Sequence, residues 1–494
     1  MVCGTASDVG KSQVVAGLCR LLARRGVRVA PFKAQNMALN SLVCPSGHEI
    51  SRAQGVQALA AGVTPEVAMN PVLLKPTGER TSQLVVLGRP EAHLDAAAYQ
   101  EEKPRLLGVV LEALASLRAR FDVVVCEGAG SPAEINLDDI VNLTVAAAAG
   151  LPALIVGDID RGGVFAALHG TVALLPPEHR GLVRGFIINK LRGDPALLGP
   201  GLAELEARSG VPTLGVIPHA PGLHLDAEDS LALEGPRPVP VGPPLADGLD
   251  VAAIRLPRLA NFTDLDPLSL EPGLSVRLVA DPAALGDPDL VILPGSKATV
   301  ADLTWLCDQG LDVALRRARD RGTLVLGVCG GYQMLGRAIV DEVESGRGKV
   351  GGLGWLDVVT TFGPDKLTRL RRGRAWVGGQ PRLVTGYEIR HGRPEAGPGA
   401  SPWLELSDDV GVGPEGAVDG DGGVLGTNLH GLFEEDRFRA SFLAHVGRRR
   451  GRRFRPAGVS FAAARAAQAD RLADLVATHL DLSRVEAVIA EGAP

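Results

Sequence analysis

The chain has no Cys-x-x-Cys pair, no excess of basic charge and no apolar run long enough to cross a bilayer. Each absence removes a class of protein. Six cysteines scattered over 494 residues exclude a zinc site of the usual spacing and a disulfide framework. Five of them (Cys3, Cys19, Cys44, Cys126 and Cys307) read as small buried hydrophobes. A net charge of −6 offers no footprint for a nucleic-acid partner. The one basic cluster, Arg448-Arg449-Arg450-Gly451-Arg452-Arg453, reads as a solvated surface run. The most apolar stretch, Val141–Val156, is broken by Asn142 and Pro152 into helix, loop and strand. No secretory leader opens the sequence. A cytoplasmic protein with no membrane partner is the expectation.

What is present suits packed globular domains. Residues are 46% hydrophobic and 22% charged, and the length is too great for one core. In residues 1–234, apolar β-rich runs alternate with helix-like segments. Strands are expected at Met1–Cys3, Val27–Phe32, Val123–Cys126, Ala153–Val156, Gly185–Asn189 and Leu214–Ile217. Helices are expected at Val14–Arg24 and Pro104–Arg120. Residues 235–249 are rich in Pro and Gly and read as a linker. A second unit at 250–447 has strand candidates at Val251–Leu256, Leu290–Leu293 and Leu324–Val328. Residues 448–494 hold the basic segment and an Ala/Leu-rich helical tail, Phe461–Ile489. The alternation predicts an α/β chain with two doubly wound, mostly parallel sheets. Gly411–Gly423 reads as a flexible turn region.

The sharpest local signal is Leu324–Gly336, LVLGVCGGYQMLG. An apolar strand runs into Gly-x-Cys-x-Gly and then a helix. A nucleophile on a strand-to-helix elbow needs small neighbours, because the turn is strained and the helix packs close. The helix N-terminus favours a thiolate. Cys329 is therefore a candidate nucleophile for acyl transfer through a thioester. Its partner must be a base within hydrogen-bond reach. His430, in Gly426-Thr-Asn-Leu-His-Gly, follows a strand candidate at Val424-Leu425; on spacing alone it is equally a loop histidine. The amides of Gly330 and Gly295 are placed to hold an oxyanion.

A second site opens the chain. Gly4-Thr5-Ala-Ser-Asp-Val-Gly10-Lys11-Ser12 precedes a helix. Backbone N–H groups of such a loop wrap phosphate oxygens, Lys11 reaches the outer phosphates, and the Ser12 hydroxyl suits Mg²⁺. One residue more than in the strict Walker spacing separates Gly4 from Gly10. Glu127 ends one strand candidate, and Asp158 and Asp160 follow the next. All three belong at the carboxyl edge of the sheet, where ligands bind. Carboxylates there suit Mg²⁺ or substrate orientation. Lys33 ends the second strand on the same edge.

Longer motifs carry a resemblance. GTASDVGKS, PFKAQNMALNS (Pro31–Ser41), EISRAQ (Glu49–Gln54), NPVLLKP (Asn70–Pro76), EGAGSPAEINL (Glu127–Leu137), GDIDRGGVFA (Gly157–Ala166) and FIINKLRGD (Phe186–Asp194) lie in the first half. RLPRLANFTDLDPL (Arg255–Leu268), LPGSK (Leu293–Lys297), GVCGGYQMLG (Gly327–Gly336) and GTNLHGLF (Gly426–Phe433) lie in the second. In this order they resemble the glutamine-hydrolysing cobyric acid synthases over nearly the whole chain. The resemblance implies a dethiobiotin-synthetase-like P-loop domain joined to a flavodoxin-like, triad-type glutamine amidotransferase domain. It implies ATP- and Mg²⁺-dependent amidation of the b, d, e and g carboxylates of a corrinoid, adenosylcobyrinic acid a,c-diamide, with glutamine as ammonia donor. Its catalytic positions fall on Cys329 and His430. Its phosphate-loop positions fall on Lys11 and Ser12, and its acidic segments on Glu127 and on Asp158 to Asp160. Together with the loop and strand-end reading above, the expected ATP-binding residues are Gly4, Thr5, Gly10, Lys11, Ser12 and Lys33, and the expected metal residues Ser12 and Glu127. Asp158 and Asp160 fall in an acyl-phosphate or corrinoid site. Oligomeric state is not specified by these motifs.

The chain departs from related amidotransferases in places. They carry a glutamate two residues after the histidine; Leu432 stands here, with Glu434 and Glu435 nearest. Asn428 replaces a common aromatic, and Tyr387-Glu388-Ile389 is followed by Arg390 before His391. Cobyrinic acid a,c-diamide synthases share both domain types, but PFKAQNMALNS and GDIDRGGVFA favour the cobyric acid reading. A MinD/ParA-like switch ATPase would carry a lysine where Thr5 stands.

Overall fold

A computed structural model describes residues 1–78, 80–135, 140–223, 248–407 and 411–491. The proline-rich linker, apart from residues 248 and 249, and the end of the Glu127–Leu137 motif lie outside the described residues. The chain forms two compact units. One comprises Met1–Ala38, Ile50–Asp226 and Arg465–Pro494; the other comprises Leu39–Glu49 and Ala227–Ala464.

The first unit is built on a six-stranded sheet. From edge to edge its strands are Thr213–Pro218, Val183–Leu191, Ala153–Asp158, Val2–Gly4, Val123–Glu127 and Val29–Lys33, with parallel pairing throughout. Side chains alternate between its faces. Val2, Leu154, Val156 and Ile187 pack on one side against Val14 and Leu18 of the helix Lys11–Arg24. Cys3, Ile155, Phe186 and Ile188 pack on the other against Leu168 of the helix Val164–Leu174. Burial on both faces explains why these strands read as continuous apolar runs. Helices Phe461–His479 and Leu482–Glu491 supply Val476 and Val485 to the first face. The helix expected from Pro104 begins at Ala96, where the Asp95 side chain accepts from Ala98 N at 2.9 Å. The helix continues through Pro104 to Arg118.

The second unit repeats the plan. Its main sheet runs Leu274–Val279, Leu249–Ile254, Leu290–Leu293, Leu324–Val328, Val424–Thr427 and Ala417–Val418, antiparallel only at the last pair. Ile254, Leu293 and Val325 serve one core, and Val251, Ile292 and Leu326 the other. A long antiparallel pair, Val358–Val377 with Gln380–Ala396, was not anticipated. The Gly-rich stretch 411–423 is corrected too: it holds the strands Val412–Glu415 and Ala417–Val418. Gly416 at φ 69° makes the bend between them. Cys307 is a further correction. It is exposed, because it sits in the last turn of the helix Thr299–Asp308, beyond the buried Leu303 and Leu306.

Candidate active sites

The strand Leu324–Val328 ends at Cys329, which caps the helix Gly330–Leu335. Cys329 has φ 50° and ψ −109°, a conformation that costs an L residue about 1–3 kcal/mol. Three backbone hydrogen bonds hold it there: Cys329 N to Thr427 O (2.7 Å), Gln333 N to Cys329 O (3.0 Å) and Gly331 N to Pro294 O (3.0 Å). The glycines are needed for closeness. A Cβ on Gly331 would stand 1.9 Å from the Leu293 carbonyl oxygen. The Cys329 thiol is buried, 3.8 Å from the Ile389 carbonyl oxygen.

His430 follows the neighbouring strand Val424–Thr427. It exchanges two backbone hydrogen bonds with Tyr387, at 2.9 and 3.1 Å, and its ring stacks on Tyr387 at 5.4 Å. Its Nδ1 donates to Asp264 Oδ2 at 2.7 Å. The other carboxylate oxygen accepts from Gly431 N at 2.8 Å. Asp264 therefore supplies the acid that position 432 lacks. Of the two acids nearest to Leu432, Glu435 accepts from Thr385 Oγ1 at 2.6 Å. With Nδ1 committed to Asp264, Nε2 is left for the hydrogen bond to the Cys329 side chain. Burial alone would discourage the imidazolium. The charge and hydrogen bond of Asp264, with those of Cys329, overcome it and raise His430 to about 10.

The proposed oxyanion donors need one revision. Lys297 N bonds to Arg258 O at 2.9 Å, and Gly295 faces Ala260 in the same two-stranded ladder. The alternation of an antiparallel ladder then aims the Gly295 N–H at Ala260 and the Ser296 N–H away from it. A Cβ on Gly330 would lie 2.8 Å from Ser296 N. Ser296 N, beside Gly330, is the better-placed second donor. Sequence reasoning also missed Glu415. Buried, and raised by that burial and by the Glu388 charge, it accepts from Thr427 Oγ1 (2.5 Å) and from Asn428 N (2.8 Å) and Nδ2 (3.0 Å). It fixes the turn between the strand and His430.

In the first unit the carboxyl ends of the strands gather the expected groups. Ser12 Oγ donates to Glu127 Oε1 at 2.8 Å, and Lys33 Nζ approaches the same oxygen at 3.0 Å. Gln57 Nε2 donates to Glu127 Oε2 at 2.6 Å. Burial would raise the Glu127 carboxyl, but the Lys33 charge and these hydrogen bonds hold it below the usual carboxylate range. The loop from Gly4 to Ser12 is closed. Thr5 N bonds to Val156 O at 2.9 Å, Lys11 Nζ donates to Ala6 O at 2.9 Å, and Gly10 sits at φ 100°. A Cβ on Gly10 would lie 2.1 Å from Asn189 Nδ2. Asp158 and Asp160 stand apart from Glu127. Asp158 pairs with Lys190 at 2.9 Å and Asp160 with Arg192 at 2.6 Å. That hydrogen bond with Arg192 lowers the Asp160 carboxyl below its ordinary value. A cavity of 240 Å³ adjoins Asp160, with Gln13, Asn189, Lys190, His219 and Leu472 also in its lining. Ser12 and Glu127 are adjacent hard oxygen donors beside a phosphate loop, a set that fits Mg²⁺ completed by phosphate and water oxygens.

Both halves match described families. Residues 1–231 match the CobQ/CobB/MinD/ParA nucleotide-binding domain, and residues 250–438 the CobB/CobQ-like glutamine amidotransferase domain. A cobyric acid synthase of Rhodococcus jostii is 56% identical over all of this chain and 96% of its own length. One from Frankia casuarinae is 54% identical over all of this chain and 97% of its own. The chain belongs to the cobyric acid synthase family. Among solved structures, PurLQS from Thermotoga maritima is 16% identical, covering 40% of this chain and 99% of that one, with a TM-score of 0.32. Cobyric acid synthases are glutamine-dependent amide ligases of cobalamin biosynthesis, and both domain types are present here. No helix among the described residues is long and apolar enough to cross a membrane.

Proposed function

We propose that the chain makes adenosylcobyric acid in the cytoplasm by amidating the b, d, e and g carboxylates of adenosylcobyrinic acid a,c-diamide. Glutamine supplies the nitrogen, and ATP with Mg²⁺ activates each carboxylate. The observation that carries the reading is the Cys329–His430–Asp264 array on one unit of a chain whose other unit holds a phosphate loop.

The Cys329 sulfur attacks the side-chain amide carbon of glutamine. Gly330 N and Ser296 N hold the resulting oxyanion. His430, as the imidazolium that Asp264 stabilises, protonates the leaving nitrogen, and the C–N bond breaks to give ammonia and a thioester. Acylation removes the sulfur's share of the stabilisation, so neutral His430 is then the base that takes a proton from water. The thioester C–S bond breaks, and glutamate leaves. In the first unit Lys11 and the loop amides bind the outer phosphates of ATP. Ser12 and Glu127 would hold Mg²⁺, which when bound offsets phosphate charge. Lys33 is placed beside Glu127 to meet charge on the transferred group. Neutral ammonia displaces phosphate from the activated carboxylate.

The test is Cys329→Ala. Glutamine-dependent amidation should vanish while amidation from added ammonium salt survives. Equal loss with both nitrogen sources would sink this division of labour. Product mass, counting amides gained on each corrinoid, separates the reading from cobyrinic acid a,c-diamide synthesis. ATP turnover that ignores the corrinoid would point to a switch ATPase.

A further inference from the structure

Residues 39–49 lie in sequence between two segments of the ATP-binding unit, yet they belong to the amidotransferase unit. Their contacts converge on the glutaminase centre. Phe262 N donates to Asn40 Oδ1 at 3.2 Å, and Ser41 N donates to Asn261 Oδ1 at 2.9 Å. Each asparagine side chain thus clasps the backbone N–H of the residue that follows the other. Asn40, Ser41 and Asn261 are all buried. Asn261 is left-handed at φ 52° and caps the short 3₁₀ turn Phe262–Leu265. Its carbonyl accepts from Asp264 N at 3.0 Å. That turn carries the carboxylate that meets His430 and Gly431.

Two more contacts reach the opposite side of the same centre. Val43 packs on Tyr387 and Ile389. Tyr387 stacks on His430, and the Ile389 carbonyl faces the Cys329 thiol. At the far end of the stretch, buried Glu49 pairs with buried Lys366. A left-handed asparagine needs its neighbours to hold it. The clasp supplies that hold, and a shift of a few tenths of an ångström in the turn would be passed straight to Asp264.

We propose that Asn40 is a positioning residue of the glutaminase, fixing the Asn261 turn so that Asp264 stays in register with His430. The inference rests on the assignment of Cys329 and His430 above. It differs in kind, because Asn40 touches neither glutamine nor the reacting atoms.

The experiment uses the full chain with Asn40→Ala, Asn40→Asp and Asn261→Gly. For Asn40→Ala, kcat for glutamine hydrolysis should fall about tenfold, the worth of one hydrogen bond. KM for glutamine and ammonium-dependent amidation should hold. The alkaline limb of the glutaminase pH profile should move down, since His430 loses a well-placed carboxylate. Asn40→Asp keeps the acceptor oxygen and should restore kcat. Asn261→Gly adopts the left-handed turn freely but loses the Ser41 bond, so it should also lower kcat while the chain folds normally. An unmoved alkaline limb and kcat in both Asn40→Ala and Asn261→Gly would overturn the proposal. So would an equal loss of ammonium-dependent and glutamine-dependent amidation, which marks general destabilisation. Persistence of glutaminase in Cys329→Ala would instead overturn the nucleophile assignment, and Asn40 has no part in that result.

Discussion

Asp264 and His430 lie 166 residues apart in sequence and 2.7 Å apart in space. The carboxylate fixes the imidazole tautomer and offsets the cost of burying its charge. Removing that charge by Asp264→Asn should cut kcat/KM for glutamine by about 10²-fold. The imidazolium is needed to protonate the leaving amide nitrogen, so activity is lost as pH rises through the His430 value of about 10. In Asp264→Asn that limb should fall by roughly one to three pH units. A pH–rate profile of glutamine hydrolysis checks both. An unmoved limb would remove Asp264 from the array.

The nucleophile's backbone is itself testable. Cys329 holds φ 50° and ψ −109°, where only glycine is at ease. Cys329→Gly should therefore be more stable than Cys329→Ala by about 1 kcal/mol. Both lack the thiol, so thermal melts weigh the relief of backbone strain against glycine's larger unfolded-state entropy. A Cys329→Gly variant that melts below Cys329→Ala would mean that the elbow is relaxed.

The elbow was legible in sequence because everything that makes it is local: a strand, flanking glycines and a following helix. His430 was half legible, since its strand is visible and its partner is not. Asp264 was not legible. It sits in a 3₁₀ turn distant in sequence from both partners, and Leu432 occupies the place where an acid was sought. Glu415 was hidden by its neighbours. Gly411, Gly413 and Gly416 made the segment read as a loose turn, whereas Gly416 supplies the one bend between two short strands. The parallel sheets were legible because burial on both faces leaves unbroken apolar runs. The long pair 358–396 alternates buried and exposed residues amid many charges, and so it lacked that signal.

Lys33 and Glu127 form a buried ion pair at 3.0 Å. Lys33→Met leaves the carboxylate buried without its counter-charge and should cost about 3–5 kcal/mol. Adding Glu127→Gln should recover most of the stability but not amidation. The folded Glu127 carboxyl is held low. Its contribution is therefore present above the unfolded carboxylate value and is lost as pH falls through the folded one. Acid unfolding should be less steep in the double variant than in wild type. Chemical denaturation as a function of pH measures this.

Lys11→Ala should abolish amidation from glutamine and from ammonium salt alike, because both need activated carboxylate. Alkylation of Cys329 by iodoacetamide should proceed at the wild-type rate. A variant that still amidates from ammonium would place the phosphate site elsewhere.

Neither unit is one continuous stretch of chain. No single cut yields two whole pieces. A gene split near residue 240 would express an amidotransferase missing the segment that clasps its acid-bearing turn, and a ligase missing the helical residues 465–491 that complete its core. Natural or engineered two-gene versions would have to return both segments to their own halves. Ammonia production by the isolated second piece should revive when a peptide spanning residues 39–49 is fused to it.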